Sequence, residues 1–392
     1  MKHKILFLFL GLIASTVMHA QTQSIEDVLL SIEANNKQLQ ANKQETISLK
    51  LEAKTDNNLS DPSVSYSYLW GKGDETISEL EVSQSFDFPG LYVARNRMNK
   101  LKMGAFDSRA GAFRRDILLQ AKEICLDIIL LRQQKEILDE RLSNALLLSD
   151  LYKQRLQAGD ATIIETNKIN LELLNVKTEA ALNETALRNK IQELTTLNGN
   201  KQITFDGTEY PAVILPQDYE SLRNEVVTSD ISLYALDRET AASQVEINLN
   251  KSQWLPKLEL GYRRNTESGM PFNGVIAGVS IPLFENRNKV KQAKAKHLNL
   301  TFQKENKQLE IESELAQQYR EAKAARATME EYEKTFAGQS DLQVLKDALT
   351  GGEISIIDYF VEVSVVYQSK QNYILLKNQY QKAMAEMYKN RL

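Results

Sequence analysis

The chain has 392 residues, 42% of them hydrophobic and 26% charged, with a net charge of −4 and both signs interspersed. That balance excludes a nucleic-acid binder built on a basic stripe. A single cysteine, Cys125, excludes an intramolecular disulfide, and only seven prolines in so long a chain point to extended helices with a narrow apolar seam.

Residues 1–20 read as a secretory signal. Lys2 and Lys4 are followed by an apolar run from Ile5 to Ile13, and small Ala20 precedes Gln21. The run is too short to span a bilayer, and no later stretch approaches 18 consecutive apolar residues. A mature chain of this kind crosses a membrane only with strands.

Beyond residue 20 the same unit is written twice. Pro62 and Pro256 lie 194 residues apart, Pro89 and Pro282 lie 193 apart, and so do Gly159 and Gly352. The first unit, 21–205, is expected to hold a helix, strands over 62–70 and 78–88, a long helix over 90–158 and a helix over 162–197. Val64, Tyr66, Tyr68 and Trp70 alternate with serines, and Leu80, Val82, Phe86 and Phe88 alternate with Glu79, Glu81, Ser83, Ser85 and Asp87. Ile117, Ala121, Ile124, Ile128, Leu131, Lys135, Leu138, Leu142, Ala145, Ser149, Tyr152 and Leu156 follow a 4,3 spacing without a break, a heptad seam. Ile169, Leu173, Val176, Ala180, Leu187, Ile191 and Leu194 continue it.

Residues 198–221, with Pro211 and Pro216 and no periodicity, form an equatorial segment between the units. The second unit, 221–392, repeats the order: a helix, strands over 256–264 and 273–282, a long helix over 284–350 and a helix over 354–390. A turn-rich loop over 265–273 separates its strands. Each strand-like run is long enough for a tilted crossing of a hydrocarbon layer. Four strands cannot close a barrel around water, so the chain must associate if they span, and three copies give twelve strands.

This order, with proline-ended strands leading into helices and the paired turns Ala158-Gly159-Asp160-Ala161-Thr162 and Gly351-Gly352-Glu353-Ile354-Ser355, resembles the TolC-like outer-membrane efflux proteins over the whole mature chain. Gln84-Ser85-Phe86-Asp87-Phe88-Pro89-Gly90 looks most like the heavy-metal, CzcC/CusC-like branch. The resemblance implies a mainly α protein with a membrane β-barrel. Four strands per chain would contribute to a trimeric 12-stranded barrel, and antiparallel coiled-coil helices would form a periplasmic α-barrel. It implies a homotrimer in the outer membrane of a Gram-negative bacterium, in contact with outer-membrane lipid. The partners implied are a periplasmic adaptor (a membrane fusion protein) and an inner-membrane pump of the RND type. No cofactor is expected.

Two groups of residues at the helical tips carry the functional expectation. Gly159, Thr162, Gly351, Gly352 and Ser355 are candidates for adaptor docking, because a near-loopless reversal needs a glycine with positive φ and an N-cap for the returning helix. Asp160, Glu165, Glu353, Asp358 and Glu362 are candidates for a periplasmic gate. Three copies around an axis would form carboxylate rings that favour cations, with some pKa values raised by like charge. Ile354 departs from the basic gate partner that the resemblance leads one to expect.

Catalytic constellations are missing from the sequence. Cys125 sits on the apolar register of a helix as a small hydrophobe, and His297, in a lysine-rich helical stretch, reads as a solvated face. No His/Cys set has metal-ligand spacing, and there is no nucleophile elbow or phosphate-binding glycine loop. A passive export conduit is therefore favoured over a periplasmic enzyme. The alternative is a secreted or periplasmic coiled-coil structural protein or adhesin, which leaves the alternating strands unexplained. The exported substrate, whether drug, metal ion or polypeptide, is not written in the sequence.

Overall fold

The computed structural model describes residues 24–73, 75–338 and 342–392, so the expected signal at 1–20 lies outside the described residues. Each half begins with a helix broken in two, where the sequence analysis expected one. Helices α1 (Ile25–Asn35) and α2 (Lys37–Thr55) meet at Asn36, and α5 (Tyr219–Ser229) and α6 (Ile231–Ser252) meet at Asp230. Both residues act as N-caps for the helix that follows. Asn36 Oδ1 accepts the Leu39 N–H at 2.9 Å, and Asp230 Oδ1 accepts those of Ser232 and Leu233 at 2.9 and 3.1 Å. A short polar side chain that satisfies orphan N–H groups lets a new helix start at an angle to the old one.

Four strands form one sheet: β1 (Ser63–Trp70), β2 (Thr76–Phe86), β3 (Lys257–Glu267) and β4 (Met270–Ser280), in the order β1-β2-β3-β4 and antiparallel throughout. The β3–β4 connection is shorter than the expected 265–273 loop. Ser268 (φ 45°) and Gly269 (φ 84°) form a two-residue turn, and pairing resumes at once, with Glu267 opposite Met270. Positive φ at both turn residues matches the right-handed strand twist. Pro271 falls inside β4, which its edge position tolerates.

In the first half the sheet runs directly into α3 (Pro89–Ala158), 70 residues and about 100 Å long, followed by α4 (Ile163–Leu197). The second half departs from the expected helix over 284–350. Residues 281–288 form a turn-rich loop, fixed by buried Asn286, whose Nδ2 donates to the Gln253 carbonyl at 2.6 Å. Asn288 leaves it at φ 67°. Helix α7 then runs Lys289–Gly338, with a separate α8 at Leu342–Gly351 and α9 at Ile356–Met387.

The core is strung along the helices rather than gathered at one centre. Around the equator, Val28 and Ile32 of α1 pack with Cys125, Leu126, Ile128 and Ile129 of α3, Leu194 of α4, and Ile203 and Phe205. The Cys125 thiol, pushed up to about 12 by burial, is a packing group and not a nucleophile. A second cluster joins α5, α7 and α9 through Leu222, Ile311, Leu315 and Met384. His297 is half-buried, not a free solvated face, with Nδ1 2.8 Å from Ser243 Oγ on α6.

Residues 201–218 have almost no regular structure and hang on side chains of the long helices. Arg132 reaches the Phe205 and Gly207 carbonyls, Gln381 that of Pro211 at 2.9 Å, and Tyr319 that of Pro216 at 3.0 Å. Backbone acceptors without a ladder must find donors somewhere, and these helices supply them.

Arg115 and Asp230 pair at 3.0 Å where α3 meets the α5–α6 break, and Asp230 is only 2% exposed. Asn390 Oδ1 also accepts from Arg115 at 2.9 Å, so the pair ties the C-terminal residues to α3. Asp230→Ala should cost roughly 1–3 kcal/mol, by removing the cap and one of two carboxylates on the buried Arg115 guanidinium, which keeps the exposed Asp116 at 2.9 Å. Asp230→Asn keeps the cap and should cost less. Thermal unfolding of the detergent-solubilised variants checks both magnitude and order.

Candidate functional site

The sheet presents two chemically opposite faces. Because directly paired residues share a face, the register sorts them without ambiguity. One face carries Ser63, Ser65 and Ser67 of β1, Glu79, Glu81, Ser83 and Ser85 of β2, Lys257, Glu259, Gly261 and Arg263 of β3, and Gly274, Gly278 and Ser280 of β4, with Ile276 the one large apolar residue among them. Glu79 and Arg263 form an ion pair there. The other face carries Val64, Tyr66, Tyr68 and Trp70, Leu80, Val82 and Phe86, Leu258, Leu260 and Tyr262, and Val275, Ala277 and Val279, interrupted by Gln84 opposite Leu260.

Exposure is inverted relative to a sheet folded in water. Trp70 and Val275 are 79% and 90% exposed, whereas Ser83 on the polar face is 7% exposed. An apolar face turned outward over four strands asks for an apolar solvent. Among the described residues, no helix is long and apolar enough to cross a membrane.

At the far end of the helices the two tips are built alike. Gly159 (φ 83°) and Gly352 (φ 76°) are left-handed. The Asp160 and Glu353 N–H groups return to the Arg155 and Ala348 carbonyls, both at 2.8 Å, and the glycine N–H groups to Leu156 and Leu349, both at 3.2 Å. This is the Schellman closure, in which a left-handed residue lets the last carbonyls find donors. Thr162 and Ser355 then cap α4 and α9 in full capping boxes with Glu165 and Asp358. Gly351 is the last residue of α8 and has no positive φ.

The tips meet over one cluster, in which Leu148, Tyr152 and Ile169 pack with Leu349, Ile356, Tyr359 and Val363, and Ala161 and Ile354 lean on it. Ile354 thus seals the tip as an apolar contact. Glu165 and Asp358 have a local task, since each carboxylate accepts from its own cap residue, Glu165 from Thr162 N and Oγ1 at 2.7 Å. The Thr162 backbone hydrogen bond, with that from the hydroxyl, holds the Glu165 carboxyl below its ordinary value within one chain. Asp160, Glu353 and Glu362 are exposed, and none of the five carboxylates has an ion pair among the described residues.

A joint above the tips was not singled out in the sequence. Arg141 of α3 bridges Glu172 and Glu179 of α4, both at 2.8 Å, and its guanidinium lies 5.7 Å from the Tyr367 ring centre on α9. Asn144 donates to the Tyr367 hydroxyl at 2.8 Å. Three helices are held by one cation. The readable signal was the seven-residue spacing of Glu172 and Glu179, which puts both on one heptad position of α4.

Residues 222–390 match the outer membrane efflux protein family. The sequence match to that family covers the second half of the chain. Its fold matches CusC, described for its folding and transmembrane channel formation, with a TM-score of 0.78 at 14% identity over 93% of this chain and 91% of that one. It also matches the outer membrane protein VceC of Vibrio cholerae (0.74, 15%, 93% and 94%) and the CmeC outer membrane channel of Campylobacter jejuni (0.76, 14%, 93% and 85%). No curated protein matches it in sequence. These outer-membrane proteins share the fold of the whole chain.

Cysteines placed at Ser67 and Ser83 should react with a small polar thiol reagent in intact membranes, whereas those at Tyr68 and Val82 should not. Equal labelling at all four would mean that the faces are misassigned. At the tips, valine in place of Gly159 or Gly352 should strain the left-handed turn by roughly 1–2 kcal/mol and abolish export while leaving the assembly intact, read as drug or metal tolerance beside oligomer yield. The Thr162–Glu165 box should persist above the ordinary glutamate pKa of 4.5 and fade as pH falls through the depressed folded value. Amide exchange at the start of α4 follows that loss.

Proposed function

We propose that three copies close head to tail into one passive conduit, the outer-membrane component of a tripartite export system. The observation that carries this is the placement of open edges. β1 and β4 are the unpaired edges of the sheet, and an open strand edge cannot face lipid. β1 continues from α2 and β4 leads into α7, so strand edge and helix lie together on each side of the chain. α7 exposes Leu298, Phe302 and Leu309 at heptad-like spacing, while α2 exposes Ile47 and Leu51, and α4 exposes Leu171, Leu174 and Leu182. These stripes suit burial against the next copy. An antiparallel β4 meeting the next β1 keeps the alternation around twelve strands, and a heterologous contact that closes makes a ring.

In this reading the helices after the signal lie in the periplasm, and 198–221 forms a belt round the helical barrel. The tips at Gly159, Thr162, Gly351, Gly352 and Ser355 receive a periplasmic adaptor, and an inner-membrane pump of the RND type supplies the energy. The conduit carries small molecules or metal ions outward and holds no cofactor. Asp160, Glu165, Glu353, Asp358 and Glu362 form the periplasmic constriction, where three copies of each gather round the axis and favour cations. Among the described residues these five make no ion pair, which supports the gate, and the capping boxes limit the share of Glu165 and Asp358.

In planar bilayers, trimers should show cation-selective channels blocked by trivalent cations from the tip side. Asp358→Asn and Glu362→Gln should each weaken block and selectivity while conductance persists. Glu362→Gln separates the ring from the cap, because Glu362 caps nothing. Unchanged block in both would leave these carboxylates as a solvated face.

A further inference from the structure

The polar face of the sheet is not polar along its whole length. At the end bearing the two hairpin turns, the register places Leu69 opposite Ile77, Ile77 opposite Glu267, and Glu267 opposite Met270, all on the face that elsewhere carries Ser, Glu and Arg. The next row of that face runs Ser67, Glu79, Asn265 and Phe272. Four large apolar side chains therefore sit together on the wet side of the wall. Leu69, Met270 and Phe272 are 59%, 68% and 58% exposed.

Over the same rows the other face keeps Tyr66, Tyr68 and Trp70 on β1 and Leu80 on β2 but turns polar on the strands beside them. Ser78, Thr266, Arg264 and Asn273 stand where Val82, Leu260, Leu258 and Val279 stand further down, and the Tyr262 hydroxyl donates to Asn273 at 2.7 Å. The outward apolar band thus thins at this level to the β1 aromatics, the residue type that marks a membrane interface. The inward apolar residues lie level with them, at the mouth.

Glu267 stands in the middle of the apolar row, exposed and without an ion pair among the described residues, unlike Glu79, which is paired with Arg263. In the row beneath, the Asn265 Oδ1 is shielded from water yet has no hydrogen-bond partner. Apolar surface facing water is costly unless something apolar covers it. A phenyl ring and a carboxylate both attract a cation, and more strongly beside apolar walls than in bulk water.

We propose that Leu69, Ile77, Met270 and Phe272, with Glu267, form a collar inside the channel mouth that binds amphipathic organic cations in transit. The inference rests on the reading of this face as the lumen, and it names the substrate class of that conduit. The collar binds the apolar body of such a cation on the four side chains and its charge at Glu267. A bare metal ion wants several oxygen ligands in fixed geometry, and one carboxylate per copy among hydrocarbon side chains does not supply them. The weak, multi-copy character of the site suits passage, since a conduit must release what it binds.

The test uses tetraphenylphosphonium, with tetraphenylborate and magnesium as charge and polarity controls, on purified protein in planar bilayers. Tetraphenylphosphonium should block current in a concentration-dependent way, and neither control should do so at the same concentration. Met270→Ser combined with Phe272→Ser should raise the half-blocking concentration at least tenfold, and Glu267→Gln severalfold. Equal block by the borate or by magnesium, or unchanged block in both variants, would overturn the collar. Equilibrium dialysis of the probe against unmodified and variant protein in the same detergent reads the site without conduction: binding must fall in both variants, and equal binding overturns the proposal. Protein that binds the probe differentially yet never conducts would contradict the conduit reading and leave the collar standing.

Discussion

A sheet with its apolar face outward and both edges unpaired cannot be stable as one chain in water. Each exposed aromatic on that face costs hydration free energy, and each edge leaves a row of N–H and C=O groups without partners. A hydrocarbon layer removes the first cost, and only ring closure with further strands removes the second. The helices inherit the constraint, because α2 and α7 continue the two edge strands and α3 follows directly on β2. The distribution of the core follows too. A wall one helix thick has no centre to fill, so its apolar residues gather in patches along the length, at the equator and at the tips.

The tips show how little sequence is needed to reverse a long hairpin. Three residues separate Gly159 from α4, and three separate Gly352 from α9, yet each junction satisfies both the last carbonyls of one helix and the first N–H groups of the next. The same residues that make the turn therefore set what it presents. Ile163, Ile164, Ile357 and Val361 stay exposed beside the caps while Ile356 and Tyr359 turn inward. The result is a rigid apolar and acidic end, which is the kind of surface another protein can read.

Periodicity made much of this legible. Alternation in Ser63–Trp70 and Thr76–Phe86 assigns the faces that the ladder shows, and the 4,3 spacing from Ile117 to Tyr152 marks one stripe of the buried side of α3, with Leu118, Cys125, Leu126, Ile129 and Leu148 buried off it. The places it missed are where one residue decides. Asn36 and Asp230 break helices by capping, and nothing in the flanking periodicity announces them. Ser268-Gly269 was hidden inside a stretch rich in turn residues, although Ser-Gly between strands signals a hairpin. Asn286 holds a loop where helix formers suggested immediate helix. Repetition also misled, since the first half passes from sheet to helix at Pro89 and the second does not at Pro282. The inward apolar residues at the mouth needed the register, because Phe272 and Ile77 fall on the wet face only once their partners are known.

Closure by three copies is the central claim, and cysteine pairing across the sheet edges tests it most directly. In one chain β1 and β4 are separated by two strands, about 14 Å at the usual spacing, far beyond the 7 Å that a disulfide can span. Any bridge between them must join different chains. Cysteines scanned over Ser63, Ser65 and Ser67 against Gly274, Gly278 and Ser280, with buried Cys125 left in place, should give in one register a ladder of monomer, dimer and trimer that stops at three. No bridge in any register, or a ladder that continues past three, would contradict the account.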